Sequence, residues 1–395
     1  MERISDQGRL RPWMGFVLFG IELALFLVVF TPLQLNLGIP GLIITELGLL
    51  ALAVVFCLVC RVKIKEVFPI KKVTLKDLFG CILLVIGIFP ISIMLVALTA
   101  VIIPGSAGEA DQLSGFLYGS LSFPAAVLVI CVLPAICEEA IHRGAIISNF
   151  RSIKRDWVIV LIMGIFFGLF HVTVLRFLST MALGLILSFV VVKKNNILLS
   201  CLMHFMNNLL SVAITYSAGA AGISTGSAAG TDYSSVLGVY LILGCLSPIL
   251  ITLGAMLLCP QSHRKIRFLY AGILSAVMLI SGIGITAVKA TKDMILTADF
   301  SYLVTEDDMN CDLTDFDVEE DCNATVVVIL TNAEGDYHVR IDGDKGSNII
   351  NAEVPQGNVR MFTYNIGLQE DHYTVTVVPD DNAVGERPEF HITIK

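Results

Sequence analysis

Charged residues are scarce in this 395-residue sequence. Only 15% of the residues are Asp, Glu, Lys or Arg, whereas 55% are hydrophobic. Soluble globular domains carry about 25% charged residues, so this composition excludes an ordinary soluble protein. The sequence also lacks an HExxH motif, and the usual signature of a zinc protease is therefore absent.

Long apolar runs are present instead. About 20 apolar residues cross a bilayer as a helix, and we predict nine such spans, of which the sixth is the shortest. They cover residues 13–31, 41–60, 79–103, 125–149, 156–174, 177–192, 196–216, 235–259 and 267–288. The sequence therefore predicts an all-α polytopic membrane protein over its first 290 residues.

The loops between these spans alternate in charge. One set is rich in lysine and arginine: the N-terminus, the loop 61–76, and the loops that contain Arg151, Lys154, Arg155, Lys193, Lys194, Arg264, Lys265 and Arg267. The other set has neither residue, apart from Arg176. Because lysine and arginine accumulate on the cytoplasmic side, we expect a multi-pass plasma-membrane protein with a cytoplasmic N-terminus and an extracytoplasmic C-terminus.

The charge balance changes sharply near residue 290. Residues 1–290 hold 20 basic and 12 acidic side chains, a net charge of +8, whereas residues 291–395 hold 6 and 22, a net charge of −16. The acidic part contains short β-branched and aromatic runs separated by turn residues, which predicts an all-β sandwich over 296–395. "LQEDHYTVTVV" resembles the late strand of immunoglobulin-like domains, with Tyr373 at the place of the corner tyrosine.

Eight of the ten cysteines lie in or beside the predicted spans, where a thiol behaves as a small hydrophobe. The other two, Cys311 and Cys322, belong to the acidic region, and an oxidising compartment would favour a disulfide between them. Between them lies "DLTDFDVEED". We interpret this run as a solvated acidic loop, and the alternative is calcium binding by clustered carboxylates, although the glycine of an EF-hand loop is missing.

Ionisable residues within the predicted spans indicate a functional site, because they are costly at bilayer depth. At about 1.5 Å of rise per residue, Glu138, His171 and His204 lie roughly 20, 24 and 15 Å from the basic ends of their helices. We therefore predict that they share one cavity, open to the inner side or to lipid. Two other acids, Glu22 and Glu46, lie in the first two spans. We interpret Glu22 as structural or cavity-lining and Glu46 as reaching water.

Helical spacing predicts three pairs of side chains, because residues four apart share a helix face. These pairs are Glu139 with Arg143, Glu138 with His142, and His204 with Asn208. In this arrangement Glu139 neutralises the arginine, and Glu138 remains as a free base on another face.

Three motifs follow in order: "EEAIHR" at 138–143, "FGLFH" at 167–171 and "HFMNN" at 204–208. With this order and spacing, the sequence resembles the CPBP family of intramembrane proteases, the CAAX prenyl protease and Abi group, whose signatures are EExxxR, FxxxH and HxxxN/D. The resemblance covers roughly residues 115–215. His142 departs from the family, where the residue before the arginine is usually apolar.

The resemblance implies a role for each matching residue. Glu138 would activate water and His171 would position it or help to deprotonate it. His204 and Asn208 would stabilise the oxyanion, and Glu139 and Arg143 would support the site. Glu138, His171 and His204 could also supply the three ligands of a catalytic Zn²⁺. The same residues could work without metal, so both mechanisms stay open.

The expected function is therefore an intramembrane endopeptidase that cleaves a membrane-associated peptide or protein. A non-catalytic scaffold or immunity protein on the same fold is the main alternative, and a transporter is a third. The expected organisation is N-terminal transmembrane helices over 1–110, a catalytic core over 111–220, further transmembrane helices over 221–290, and the acidic β domain. We expect the lipid bilayer and a membrane-associated substrate as partners, no nucleic acid, and an envelope or protein partner for residues 296–395.

Overall fold

The apolar N-terminal part of the chain folds into α-helices. The computed structural model describes residues 10–103, 106, 121–220, 232–259, 264–292, 296–301, 303–305, 311–346, 348–354 and 360–394. Its longer helices are α1 Pro12–Leu37, α2 Ile39–Cys60, α3 Leu75–Ile102, α4 Phe123–Ile146, α5 Asp156–Phe170, α6 Val174–Lys194, α7 Ile197–Ala220, α8 Tyr233–Leu243, α9 Ser247–Leu258 and α10 Arg264–Lys292. The chain divides into two compact units, Met1–Thr286 and Ala287–Lys395.

The number of complete spans differs from the nine predicted. Within the described ranges, seven helices are long and apolar enough to cross a membrane, and the number is eight if α8 and α9, which are bent by 49° relative to each other, are counted as one span. The bend follows a break in the helix at residues 244–246, and Pro248 lies in the first turn of α9. The remaining predicted span, residues 156–174, corresponds to α5, which has only 15 residues and is about 22 Å long. The short helix is thus the fifth rather than the sixth.

Helices α5 and α6 pack against each other as an antiparallel hairpin. Glycines allow their close approach: a Cβ atom on Gly184 would lie 2.8 Å from the Cβ of Phe167 and 3.2 Å from the Cα of Gly164. At the tip, Val172 has a φ of +54°, which is rare for a β-branched residue. Both ends of the hairpin therefore lie on the same side of the membrane unit, where Lys193 at the end of α6 pairs with Asp156 at the start of α5.

Helix α4, which carries the two glutamates, is wound unevenly. An α-helical stretch, Leu133–Glu139, lies between two π-helical stretches, Val127–Val132 and Ala140–Ile146. The π-helix has a wider turn than the α-helix, and such stretches are frequent at functional sites. In the π-helical stretch after Glu139, residues four apart no longer lie directly above one another on the helix surface. The side chain of His142 therefore has different neighbours from those it would have in a regular α-helix.

The C-terminal unit consists of two four-stranded antiparallel sheets, with orders β1-β8-β3-β6 and β2-β7-β4-β5. The strands are β1 Leu296–Ser301, β2 Cys311–Val318, β3 Cys322–Thr331, β4 Tyr337–Gly343, β5 Asn348–Glu353, β6 Arg360–Leu368, β7 Asp371–Pro379 and β8 Glu389–Ile394. Buried residues of both sheets form one core, as in a sandwich. The predicted membrane core followed by an all-β domain is therefore confirmed.

Tyr373 is fully buried in this core. Its hydroxyl donates a hydrogen bond to the carbonyl of Gln369 (3.1 Å) and accepts one from the backbone N–H of the same residue (3.0 Å). A corner tyrosine binds the backbone a few residues upstream in the same way.

The acidic run after Cys311 is a strand and not the loop that we predicted. Phe316 and Val318 of β2 are buried, and the exposed residues Asp315 and Asp317 alternate with them. The run thus has the period of two that places acids on the solvent face of a half-buried strand. The density of carboxylates concealed this period in the sequence.

The predicted Cys311–Cys322 disulfide does not fit the strand register. Cys311 pairs with Val377 of β7, whereas Cys322 lies beside Leu368, just before the start of β7. The two cysteines are therefore separated by most of the length of β7, about 20 Å. The Cα atoms of a disulfide are at most about 7 Å apart. Cys322 is a free thiol, and the side chain of Cys311 lies outside the described residues.

Candidate active site

The membrane unit encloses a cavity of about 790 Å³. All four predicted catalytic residues line it: Glu138, His171, His204 and Asn208. They come from α4, the tip of the α5–α6 hairpin, and α7. Three segments that are far apart in the sequence thus meet at one place, and the rest of the wall is mainly apolar.

Glu138 is the acid of α4 that faces this cavity. Its side chain is 8% exposed, and its Oε2 atom has no hydrogen-bond partner among the described residues. A buried carboxylate is costly at membrane depth, and one that lines a cavity there indicates a functional role. Glu138 is therefore free to bind water in the cavity.

Glu139, the next residue, has different surroundings. Its Oε1 atom accepts a hydrogen bond from Nη1 of Arg143 at 2.8 Å and lies 3.0 Å from Nδ1 of His204. Glu139 and Arg143 have no exposed surface. Arg143 also donates to the carbonyl of Gly184 (3.2 Å), and its guanidinium carbon lies 4.2 Å from the ring centre of Phe167. This network connects α4 to α6 and α7.

The contact with Glu139 orients His204. If Glu139 is ionised, its oxygen can only accept, so Nδ1 of His204 donates. The other ring nitrogen, Nε2, is then available to the cavity, where it accepts a hydrogen bond if the ring is neutral and donates if it is charged. Glu139 therefore orients His204, a histidine that faces Glu138. From the sequence we had predicted only the pairing of Glu139 with Arg143.

His171 is oriented by the backbone. Its Nδ1 lies 2.8 Å from the carbonyl of Phe167, one turn earlier in α5. A carbonyl oxygen only accepts, so Nδ1 carries the proton and Nε2 is left as the second ring nitrogen. The hydrogen bond and the turn at Val172 hold the imidazole at the end of α5, on the cavity wall.

Asn208 is fixed by two hydrogen bonds. Its Nδ2 atom donates to the carbonyl of Ile130 in α4 (2.9 Å), and its Oδ1 atom accepts from Nδ2 of Asn207 (3.3 Å). One N–H of the Asn208 amide is still available, so this side chain can donate to a bound ligand. The predicted pairing of His204 with Asn208 is replaced by these separate partners.

His142 does not meet the Glu138 carboxylate, as helical spacing had suggested. Its Nδ1 instead lies 2.9 Å from the Glu138 carbonyl, and its Nε2 lies 3.4 Å from Oε1 of Glu22. The reason is the π-helical winding of residues 140–146, which turns the ring toward α1. Glu22, which the sequence shows as an isolated acid, thus lies beside His142, although no hydrogen bond joins them.

These residues lie in a segment that matches a known family. Residues 120–210 match the family model described as Type II CAAX prenyl endopeptidase Rce1-like. The chain contains an Rce1-like core. The resemblance to the CPBP family is therefore confirmed, and the chain is a CAAX-protease-like, multi-pass membrane protein. Comparisons with curated proteins and with solved structures gave no match.

Two further cavity residues lie outside the three motifs. Glu46 of α2 is only 4% exposed and lines the same cavity as Glu138, instead of reaching water. Arg176, the exception to the loop-charge pattern, lies on the wall near the start of α6. In the sequence, Arg176 is an isolated basic residue among loops that otherwise lack lysine and arginine. That was the one signal that could have indicated a functional role for it.

The donor types of the site suit zinc, since two imidazoles and a carboxylate are ligands of many catalytic zinc ions. Their positions do not: the described part of the chain has no group of three or more His, Cys, Asp or Glu residues placed to hold a metal ion. Glu138, His171 and His204 therefore do not form the predicted ligand set in this structure, and the mechanism below uses only the side chains.

The cavity is not centred in the membrane unit. His204 lies seven residues into α7, about 10 Å from the helix start at Ile197, whereas Ser211 lies about 21 Å from it. The wall on α6 extends from Leu183 to Arg176, toward the end of that helix that is far from Lys194. The site residues thus form the floor, and the cavity extends away from the basic loops. We had expected it to open to the inner side or to lipid.

Proposed function

We propose that this protein is an intramembrane endopeptidase that hydrolyses a peptide bond of a membrane-associated peptide or protein. The observation that carries the proposal is the contrast between two adjacent acids. Glu139 is bonded through Oε1 to Arg143 and His204, whereas it is Glu138 and not Glu139 that lines the cavity. An ionisable side chain that faces a cavity at membrane depth indicates a role in the chemistry of that cavity.

In the proposed reaction Glu138 removes a proton from a water molecule, and the water attacks the carbonyl carbon of the substrate. His171, with its Nδ1 proton on the Phe167 carbonyl, accepts a hydrogen bond from the same water through Nε2. Glu138 then gives the proton to the leaving amine, because one group can serve as base and then as acid. The mainly apolar wall around these groups lowers the local dielectric constant, which strengthens their interactions.

Asn208 and His204 are the proposed donors to the oxyanion. Asn208 has one free N–H after its hydrogen bond to Ile130. His204 donates through Nε2 when its ring is protonated. Donors that are already held in place before the reaction stabilise the developing charge most strongly.

A zinc-dependent reaction is the alternative mechanism for the same residues. Dialysis of the pure protein against a chelator, followed by a cleavage assay and zinc re-addition, tests it. The metal-free proposal expects the cleavage rate to stay within about twofold. A loss of activity that zinc restores would favour the metal mechanism.

We also propose a plasma-membrane location with the N-terminus in the cytoplasm and the β unit outside. The basic loops support this orientation. The acidic surface of the β unit, with a net charge of −16 over residues 291–395, suits contact with an envelope component or a protein partner rather than with lipid.

The proposal is tested with pure protein in liposomes that also contain the small membrane peptides of the host cell. We expect new peptide termini with the wild-type protein and none with Glu138→Gln. Glu66→Gln is the matched control, because it makes the same chemical change at the basic end, where Glu66 pairs with Lys63. Equal peptide patterns for the wild type and Glu138→Gln would favour a non-catalytic scaffold.

A further inference from the structure

The cytoplasmic end of the membrane unit can be located from contacts between the basic loops. Nη1 of Arg151 donates to the carbonyl of Glu66 at 2.9 Å, and Nζ of Lys194 lies 2.5 Å from Oδ1 of Asp77. Lys193 pairs with Asp156 at 2.8 Å. The loops that follow α2, α4 and α6 therefore meet at one end, which we term the basic end.

The positions of the cavity residues can be measured from this end by helix rise. His204 is about 10 Å from the start of α7, and Glu138 is about 12 Å from the end of α4 at Ile146. Arg176 lies about 27 Å from Lys194 along α6, and Val96 about 28 Å from Asp77 along α3. All four residues line the cavity. Its floor is therefore nearer to the basic end, and its walls extend to the far end of the helices.

The first two helices give the same direction. Helix α1 contributes Thr31, Gln34 and Leu35 to the cavity, all near its C-terminal end. Helix α2 contributes Leu42 and Glu46, near its start and far from Arg61. Six helices therefore give the same result, although some run toward the basic end and others away from it. The cavity extends away from the basic end.

We propose that the substrate enters this cavity from the extracytoplasmic side, so that its class is a membrane-anchored peptide whose cleaved segment has already been translocated. The identity as a protease rests on the proposed function, whereas the direction of entry rests on the cavity and on the loop charges. The basic end faces the cytoplasm because lysine and arginine accumulate there. A segment that remains in the cytoplasm would have to pass the Glu139–Arg143–His204 network to reach Glu138.

The direction of entry is tested by labelling single cysteines with a membrane-impermeant maleimide in intact cells. In the full-length chain, with its native cysteines replaced, Thr31→Cys and Ser211→Cys place a thiol on the cavity wall with little change in size. Lys65→Cys places one at the basic end, on an exposed side chain. We expect at least fivefold more labelling of the two cavity thiols than of Lys65→Cys, and equal labelling after the cells are opened.

Three results of this labelling would overturn the proposal. The cavity thiols could react only in opened cells, Lys65→Cys could react in intact cells, or the cavity thiols could fail to react in either preparation. The first and third would mean that the cavity is closed to the outside. The second would mean that the orientation is reversed.

A second experiment separates the direction of entry from the proposed chemistry. Membrane peptides that accumulate in cells producing Glu138→Gln are identified, and intact cells are then treated with an external protease. We expect the accumulated segments to be digested, and their protection would overturn the proposal. If no peptide accumulates relative to wild type, the proposed protease function fails, while the labelling still decides which side the cavity faces.

Discussion

The two units of this protein place their charges in opposite ways. In the membrane unit, Glu22, Glu138, Glu139, His142 and Arg143 are buried. In the C-terminal unit, most acids are on the surface, and apolar side chains of two sheets fill the core. Charge on the surface of the β unit keeps that unit soluble, whereas buried charge in the membrane unit is costly and indicates function.

The buried charges of the two units also differ in how they are satisfied. In the β unit, buried Arg360 donates to the carbonyls of Glu334 and Gly335, which are fixed parts of the backbone. In the membrane unit, the partners of Arg143 and His204 converge on one carboxylate, that of Glu139. Its neighbour Glu138 lines the cavity, and Glu139 does not. We therefore assign the stabilising role to Glu139 and the chemical role to Glu138. Substitutions of these adjacent residues of α4 can separate the two roles.

The largest effect is expected from Glu138→Gln. The amide keeps the size of the side chain but cannot take a proton from water, so cleavage should fall by roughly 10²–10⁴-fold, as expected for loss of a general base. The melting temperature in detergent should stay within a few degrees of wild type, because no protein partner of the Oε2 atom is lost. A large drop in stability with retained cleavage would assign the base to Glu139 instead.

Glu139→Gln should act on stability first. The change leaves Arg143 as an unpaired buried cation, which costs about 3–5 kcal/mol when one partner of a buried pair is removed. Yield and melting temperature in detergent should both fall. The double variant Glu139→Gln with Arg143→Gln should regain part of this loss, because both charges are then gone. A double variant that is no more stable than the single one would contradict the pairing.

The comparison of the units also shows how far the sequence could predict the structure. In the β unit, the short β-branched and aromatic runs of the sequence form β3, β4, β6, β7 and β8, since period-two patterning is a local property. Strands β1, β2 and β5 were not predicted, and the many carboxylates of β2 suggested a loop. The buried corner of Tyr373 was also predictable from its motif.

The membrane unit was predictable to a coarser level. Its helices followed from hydropathy, and its family followed from three motifs. The partner of His142 could not be predicted, because the π-helical winding after Glu139 depends on packing and not on local sequence. The link from Glu139 to His204 joins residues 65 positions apart. A periodic pattern within one helix cannot predict a contact between two helices.

A smaller effect is expected in the β unit from Tyr373→Phe. The ring and its packing remain, but the hydrogen bonds between the hydroxyl and Gln369 are lost, and this should cost about 1 kcal/mol. Unfolding of the β unit, followed by near-ultraviolet circular dichroism in denaturant, measures the loss. A loss within the error of the measurement would show that the hydrogen bonds of the corner contribute nothing to stability.

The smallest effect concerns His372, on the exposed face of the β unit. Its Nδ1 lies 2.8 Å from Oδ1 of Asp317, and its Nε2 lies 3.5 Å from Oδ2 of Asp315. The hydrogen bond to Asp317 is the main cause that raises the pKa of His372 above its usual value. A pKa that is higher in the folded state means that folding favours the protonated ring. The stabilisation is therefore complete below the pKa of the unfolded chain, about 6.5, and is lost as the pH rises through the folded pKa.

This pH dependence further distinguishes the β unit from the membrane unit, because it arises from a surface charge and not from a buried one. We expect the β unit to unfold at slightly lower denaturant concentration at pH 8.5 than at pH 5.5, after the same difference in His372→Gln is subtracted. Asp317→Asn should reduce the difference, since it removes the main partner, and added salt should reduce it further because exposed charges are screened. Other groups titrate in the same range, so the contrast between the wild type and His372→Gln carries the conclusion. If the two show the same dependence on pH, the imidazole contributes nothing to stability, and the acidic face of β2 serves only solubility or a partner.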